Sequence, residues 1–453
     1  MSIIARSLQR TWVRIPVALA LLLAWTVVSA FAATLRVGPN RNYKRISDVA
    51  VVARDGDIIL LDGGEYSGDV AKWTQNDLVI WAPDGRARLR ADGASSEGKA
   101  IWVVEGGNFT AENIEFSGAR VPDRNGAGIR LHAKGTVTLR NCYFHHNENG
   151  ILGDADQVVI EDCVFDRNGA GDGQTHNIYV WGPSVTIRNT YTHRTAVGHN
   201  IKTRGLTNYI LYNKIADEED GTGSYAIDVP DCGRTYIIGN VIEQGPLSEN
   251  YDVVSYGAES DKNDLKELYV INNTFVNDGR PDGAFVHCRR RAKVRIENNI
   301  FYGPGTPWEG GDVSATSNYI AASLQNAPRF ADPGGYDFHL TPDSPDAILG
   351  RGTPPGVSST GFDLTPKQEY VEGAKSKARA SAGALDLGAF AFQRRPAPAL
   401  DAEVPRAAAQ GTRVAAPTTT KVSKAPKRKK AVRKSKRPAP GTPAPRKTTP
   451  SSN

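Results

Sequence analysis

Short stretches in which apolar and polar positions alternate recur along the chain, and each ends on the same polar residue. Val137 and Leu139 precede Asn141, Val185 and Ile187 precede Asn189, and Val294 and Ile296 precede Asn298. The residue returns as Asn113, Asn141, Asn189, Asn213, Asn240, Asn272 and Asn298, with Asp162 at one rung. Three positions later stands Phe116, Phe144, Phe165, Phe275 or Phe301. Successive rungs lie 21 to 32 residues apart. Alternation at period two predicts strands. A strand too short to bury its inner face alone can do so when stacked on copies of itself. Constant strands with variable spacing imply that the surplus residues leave as loops. The expected fold class is all-β: a right-handed parallel β-helix, a solenoid with one coil per repeat. The eight polar rungs would form a structural ladder, each buried amide bonded to its copies above and below. Asn as a plain turn residue in an antiparallel sandwich fits less well, because it would not keep one apolar frame eight times.

Residues 43–54 (YKRISDVAVVAR) have helical apolar spacing, with Ile46, Val49 and Ala50 on one face. They predict a short N-terminal helix capping the first coil. Ahead of it, Arg6, Arg10 and Arg14 precede an apolar run and the small-x-small sequence Ala30-Phe31-Ala32. This pattern reads as an export signal over residues 1–32, either cleaved or retained as an anchor. The β-helix with its terminal caps is expected over 33–395. Residues 396–453 turn to Ala, Pro, Lys and Arg and read as a disordered basic tail.

Charge changes the picture of partners. The whole chain carries +6, but the tail holds 14 Lys or Arg against Asp401 and Glu403, and the signal adds three Arg. The body between them is therefore acidic. The tail is expected to bind anionic cell-envelope polymers or to stay solvated. No recognition motif for a specific nucleic acid is present, and a monomer, exported to the periplasm or beyond, is expected. In an oxidising compartment Cys142 and Cys163, each following a rung, are spaced for a disulfide or for a stack of buried thiols. No cofactor is implied. The carboxylates Asp217, Glu218, Glu219 and Asp220 suit calcium chemically but lack the spacing of a defined calcium loop, so a solvated acidic loop is the plainer reading.

The opening TLRVGPNRNYKRISDVAVVARDGDIILLDGGEYSG resembles the start of secreted β-helix proteins of the pectate-lyase-like superfamily. The close, FHLTPDSPDAILG with LDLGAFAF, resembles the end pattern of bacterial right-handed β-helix proteins. The resemblance covers residues 34–392 and implies a long shallow groove along one sheet, usually occupied by a polysaccharide. The superfamily holds lyases, hydrolases, esterases, epimerases and catalytically silent proteins, so it leaves the reaction open.

The strand after each rung carries the candidate chemistry. Five units read HNIYVWG, HNIKTRG, YAIDVPD, YDVVSYG and AFVHCRR. Alternation predicts that Asn177, Tyr179, Asn200, Lys202, Arg204 and Asp228 face outward on one sheet. His176, His199, Tyr225 and Tyr251 would then form one column, and Tyr179, Lys202 and Asp228 the next. β-Elimination from a uronic-acid polymer needs a cation for the C6 carboxylate, a base for the C5 proton and an acid for the leaving oxygen. Lys202 is the candidate base, Arg204 the carboxylate holder, Tyr225 or His199 the acid, with Asp228 beside them. His176, Tyr179, Asn200, Tyr251, His287 and Arg289 are expected to bind substrate. The Lys202 and Arg204 pair is loosely similar to the Lys and Arg used by β-helix alginate lyases. YAIDVPD is similar to the motif of mannuronan C5-epimerases only in its Tyr and Asp, and lacks the motif's His. A bland reading also stands: Lys202 and Asp228 as a cross-strand ion pair. The expected function is binding of an acidic polysaccharide, with its cleavage by β-elimination left open. The alternative is a non-catalytic cell-envelope glycan-binding or tethering protein. A glycoside hydrolase, for which only Asp228, Asp231 and Asp252 are placed, ranks below both.

Overall fold

The computed structural model describes residues 32–279, 281–380 and 383–392. The expected signal and basic tail lie outside the described residues, apart from Ala32. Three strands make one coil, for example Thr136–Arg140, Tyr143–His145 and Asn149–Asp154, before Gln157–Glu161 begins the next. The coils stack into three parallel sheets of 12, 11 and 10 strands among the described residues. The all-β solenoid expected from the alternation is therefore the fold.

The coil interior is filled in columns. Along the 11-strand sheet Phe116, Phe144 and Phe165 sit in register. Their rings stack at centroid separations of 4.9 and 4.7 Å. Thr192, Ile215 and Ile242 continue the column to Phe275 and Phe301, which stack at 5.0 Å. The recurring Phe is thus the core residue of the strand after the turn, and each buried ring contributes roughly 1.5–3 kcal/mol.

The single ladder expected from the sequence divides into two adjacent columns. Register along the 12-strand sheet puts Asn113, Asn141, Asp162, Asn189, Tyr212, Gly239, Asn272 and Asn298 at one turn position. All of them have positive φ, between 52° and 69°, a conformation Asn and Gly enter at little cost. The next residue points inward. There the chain has Cys142, Cys163 and Thr190, and then Asn213, Asn240, Asn273, Asn299 and Asn318. Only this second run is a continuous amide ladder: each Nδ2 donates to the next Oδ1 at 3.0 Å and to a strand carbonyl of the preceding coil at 2.7–2.9 Å. Asn213 and Asn240 thus belong one position further along than the other six rungs. The outer column carries isolated amide bonds, Asn141 to Asn113 and Asn298 to Asn272, both 3.2 Å.

Cys142 and Cys163 occupy the inward position as buried free thiols, not a disulfide. The Cys142 N–H donates to the Cys163 sulfur at 3.4 Å, so the thiol fills the place that an Asn oxygen fills further along.

The capping helix is present but shorter than its apolar pattern, Ile46–Ala50. Asp69 from the next turn accepts from the N–H groups of Ile46 and Ser47 at 2.6 and 3.0 Å, and Ile46, Val49 and Ala50 are buried. The C-terminal segment does not simply close the last coil. It turns back along the outside of the stack as irregular chain with two antiparallel ribbons, Phe330–Asp332 with Asp337–Leu340 and Gln368–Val371 with Lys375–Ala378. Tyrosines on the 12-strand sheet and at the turn after it hold it: Tyr236 with Ser358, Tyr269 with Ser359 and Tyr212 with Lys367, at 3.0–3.1 Å. The 10-strand sheet is left uncovered by this strap.

Candidate functional site

The 10-strand sheet carries the candidate chemistry, and its register places the residues. Tyr179 pairs with Lys202, Lys202 with Asp228, Asp228 with Ser255 and Ser255 with His287. The expected column of Tyr179, Lys202 and Asp228 is therefore brought together. The adjoining column forms as well: His176 and His199 stack at 4.7 Å, and His199 and Tyr225 at 5.1 Å. Tyr251 stands exposed at the edge of the sheet.

Asn177 and Asn200 do not face outward. Both are fully buried, because the strands begin one residue later, at Ile178 and Ile201, and the residue before sits in the coil corner. There they join a second amide ladder: Asn147 to Asn168 to Asn177 to Asn200 to Asp217, at 2.8–3.0 Å. Asn200 is thus a structural residue and not a substrate ligand. Asp217 ends this ladder and is buried, which corrects the solvated-loop reading at that residue, while Glu219 and Asp220 are exposed as expected. The other Asp217 oxygen accepts from Ser248 at 2.5 Å. Glu218 faces His193 and Arg194, and Asp220 faces Arg167. Asp217, Glu218 and Asp220 turn to different partners, and among the described residues no group of three or more His, Cys, Asp or Glu could hold a metal ion.

Lys202 and Arg204 project from one strand and its following turn, and each has a buried carboxylate beside it. Lys202 Nζ lies 3.3 Å from Asp228, and Arg204 lies 2.8 Å from Asp231. The Arg204 Nε–H also donates to the Tyr179 hydroxyl at 2.7 Å. Across both cations reaches Glu259, with one oxygen 2.8 Å from Lys202 Nζ and the other bonded to Arg204. Asp231, read from the sequence only as a carboxylate near the groove, is the partner of Arg204. Sequence reasoning missed Glu259 and Lys262, the latter pairing with Asp231 at 2.6 Å. Both come from the loop after Val254–Tyr256, where alternation carries no signal.

The electrostatics follow from burial. Asp228 is 2% exposed, and that burial, against the pull of Lys202, pushes its carboxyl up to about 6. Its Oδ1 has no hydrogen-bond partner among the described residues. Burial also acts on Asp231, but hydrogen bonds from Lys262, Arg204 and Ser260 hold it down to about 2. His199 is driven down to about 3 by burial and by the Lys202 charge. Its ring is fully committed: Nδ1 accepts the Tyr225 N–H at 3.1 Å, and Nε2 faces Asp228 at 3.5 Å. His176 is also buried, kept neutral, and accepts the His199 N–H on Nδ1 at 3.0 Å. Both histidines are the neutral tautomer protonated on Nε2. They orient their neighbours.

Beside Arg204 opens a cleft of about 480 Å³ bordered by Tyr179, Trp181, Pro183, Leu206 and Lys262. The ring of Trp181 lies 5.3 Å from that of Tyr179, and Leu206 is exposed there. Three strand spacings along the groove, roughly 14 Å, lies a second charged cluster. Asp252 is buried and holds His287 at 2.8 Å and Arg289 at 2.6 Å.

The three-sheet stack and the matching family model define the fold: the chain is a right-handed parallel β-helix. The family model described as right handed beta helix region matches residues 71–177. Among solved structures, pectate lyase Pel9A is similar at 14% identity and a TM-score of 0.55, over 80% of this chain and 96% of that one. PL6 family alginate lyase AlyGC aligns at 14% identity and a TM-score of 0.30, over 64% of this chain and 40% of that one. A pectin methylesterase from Aspergillus niger aligns at 12% identity and a TM-score of 0.27, over 64% and 86%. No curated protein sequence matches the chain. Among the described residues, no helix is long and apolar enough to cross a membrane.

Proposed function

We propose that the protein is exported, binds an acidic polysaccharide along the 10-strand sheet and cleaves it by β-elimination at Lys202 and Arg204. The observation that carries this reading is the pair of cations, side by side on the sheet that the returning strap leaves open among the described residues, and next to an aromatic cleft. A uronate sugar presents those two surfaces: a carboxylate and the apolar face of a ring. Arg204, locked by Asp231 and Tyr179, holds the C6 carboxylate and so stabilises the charge that develops when C5 loses its proton. Lys202 takes that proton once it has passed its own to a neighbour. Asp228, 3.3 Å away and with its pKa already pushed up to about 6, is the group placed to receive it. A sugar covering the site removes water, which favours the neutral Lys–Asp pair over the charged one. The C4–O bond then breaks, a C4–C5 double bond forms, and the Tyr225 hydroxyl protonates the leaving oxygen. His199 acts as a positioning residue, stacked on Tyr225 and facing Asp228. His287 and Arg289 bind a carboxylate further along the polymer. The basic tail adds attraction to anionic envelope polymers.

The second reading is a glycan-binding protein without catalysis. It is favoured by the pairing of Lys202, Arg204, Asp228 and Asp231 with one another, which is an arrangement that binding alone can use. A glycoside hydrolase is less well supported, because Asp228, Asp231 and Asp252 are each held by cations and none faces the groove as a free acid. Purified protein incubated with alginate, pectate and glycosaminoglycans is expected to raise the absorbance of unsaturated uronate ends on one of them. Lys202→Ala and Arg204→Ala are each expected to abolish that rise. Retained binding with no rise on any uronate would favour the second reading. A rise that survives both substitutions would overturn the residue roles.

A further inference from the structure

Lys202 and Arg204 already hold a carboxylate, and it comes from the protein itself. Glu259 lies in the loop after Val254–Tyr256, two strands beyond Lys202 on the sheet. The loop backbone is pinned to the turn of the preceding coil. Gly257 N–H donates to Val229 O at 2.8 Å, Glu259 N–H and Ser260 N–H to Pro230 O at 3.0 and 2.9 Å, and Asn263 Nδ2 to Cys232 O at 3.0 Å. The side chain, by contrast, is 47% exposed, whereas those of Asp228 and Asp231 are 3% and 2% exposed. The two buried carboxylates are part of the wall. Glu259 is on top of it.

Two further observations separate Glu259 from an ordinary structural ion pair. Lys202 also pairs with Asp228, and Arg204 with Asp231 and Tyr179, so each cation has a buried carboxylate partner besides Glu259. The charges also balance only with Glu259 included. Lys202, Arg204 and Lys262 face Asp228, Asp231 and Glu259. Without Glu259 the cluster is left with one uncompensated positive charge, which one sugar carboxylate would neutralise.

We infer that Glu259 is a tethered stand-in for the uronate carboxylate, a latch that occupies the cradle until a substrate carboxylate displaces it. The inference rests on the groove reading proposed above and adds a specificity to it. A neutral sugar cannot replace Glu259 without leaving that one positive charge uncompensated, so the latch selects acidic ligands. Displacement requires only rotation of the Glu259 side chain, because the backbone of its loop stays bonded to the neighbouring turn.

The test is isothermal titration of the full chain, wild type and Glu259→Gln, with acetate, with oligogalacturonate and oligomannuronate, and with the methyl-esterified oligogalacturonate. Lifting the internal competitor is expected to tighten binding of the acidic oligosaccharide about fivefold or more, since apparent affinity scales with the open fraction. Acetate is expected to bind Glu259→Gln more tightly than the wild type, while the neutral ester shows no gain. An acidic oligosaccharide bound equally well, or less well, by Glu259→Gln would overturn the latch and leave the groove reading standing. Acetate favouring Glu259→Gln, with no polymer fragment bound by either protein, would keep the latch and sink the polysaccharide reading. Binding of neither class of ligand by either protein would overturn both.

Discussion

Asn240 offers the sharpest test of the scaffold, because its side chain makes four buried bonds at once. Its Nδ2 donates to Ile210 O at 2.8 Å and to Asn273 Oδ1 at 3.0 Å. Its Oδ1 accepts from the Asn213 backbone N–H at 2.8 Å and from Asn213 Nδ2 at 3.0 Å. Asn240→Ala removes all four and leaves the Asn213 N–H buried without that acceptor. At about 0.5–1.5 kcal/mol per lost bond, with more for a stranded donor, the expected cost is roughly 3–6 kcal/mol. Asn141→Gly is the control. It is half-buried, stands in the outer column at φ 52° and gives up only its side-chain bonds to Asn113 and Arg86. Glycine adopts that backbone freely, so the expected cost is below about 1 kcal/mol. Urea unfolding followed by tryptophan fluorescence and circular dichroism measures both. Equal losses, or a loss under about 1 kcal/mol for Asn240→Ala, would refute the division of the rungs into a left-handed turn column and an inner ladder.

Two other outcomes follow from buried groups. Glu243 is fully buried on the 11-strand sheet, and burial with repulsion from Asp217 pushes its carboxyl up to about 8. The folded state therefore keeps a proton that the unfolded chain releases near pH 4.5, and stability falls as pH rises between those values, by at most about 1.4 kcal/mol per unit. Glu243→Gln is expected to gain on the wild type steadily from pH 5 to 8, and a constant difference in melting temperature across that range would contradict it. The four cysteines are free, so thiol titration of unfolded, unreduced protein is expected to return four thiols and reductant to leave the melting temperature unchanged. Two thiols would reveal a disulfide.

How far the structure was legible depended on where each residue sits relative to a strand. Within strands, alternation and register coincide, so the Tyr179, Lys202 and Asp228 column could be read directly, as could the Phe column beneath the turns. At the turns the frame slipped. The Asn272–Asn273 and Asn298–Asn299 pairs satisfy both the left-handed and the inward position, which hid the shift that Asn213 and Asn240 expose. Asn177 and Asn200 looked like outward groove residues because alternation was extended one residue past the strand start, into a corner that faces the core. Glu259 and Lys262 leave no trace in the sequence because the place of their loop is set by backbone bonds to a neighbouring coil, which are not periodic. The returning strap was read as an end cap for the same reason: irregular chain held by tyrosine hydroxyls has no repeat.

The most direct measurement is a crystal structure of the protein with the oligouronate that binds it most tightly. The expected result is a sugar carboxylate between Lys202 Nζ and the Arg204 guanidinium, a ring beside Trp181, and the Glu259 side chain turned out to solvent. A sugar bound elsewhere, or one bound on this sheet with Glu259 still across both cations, would contradict the assignment of the groove.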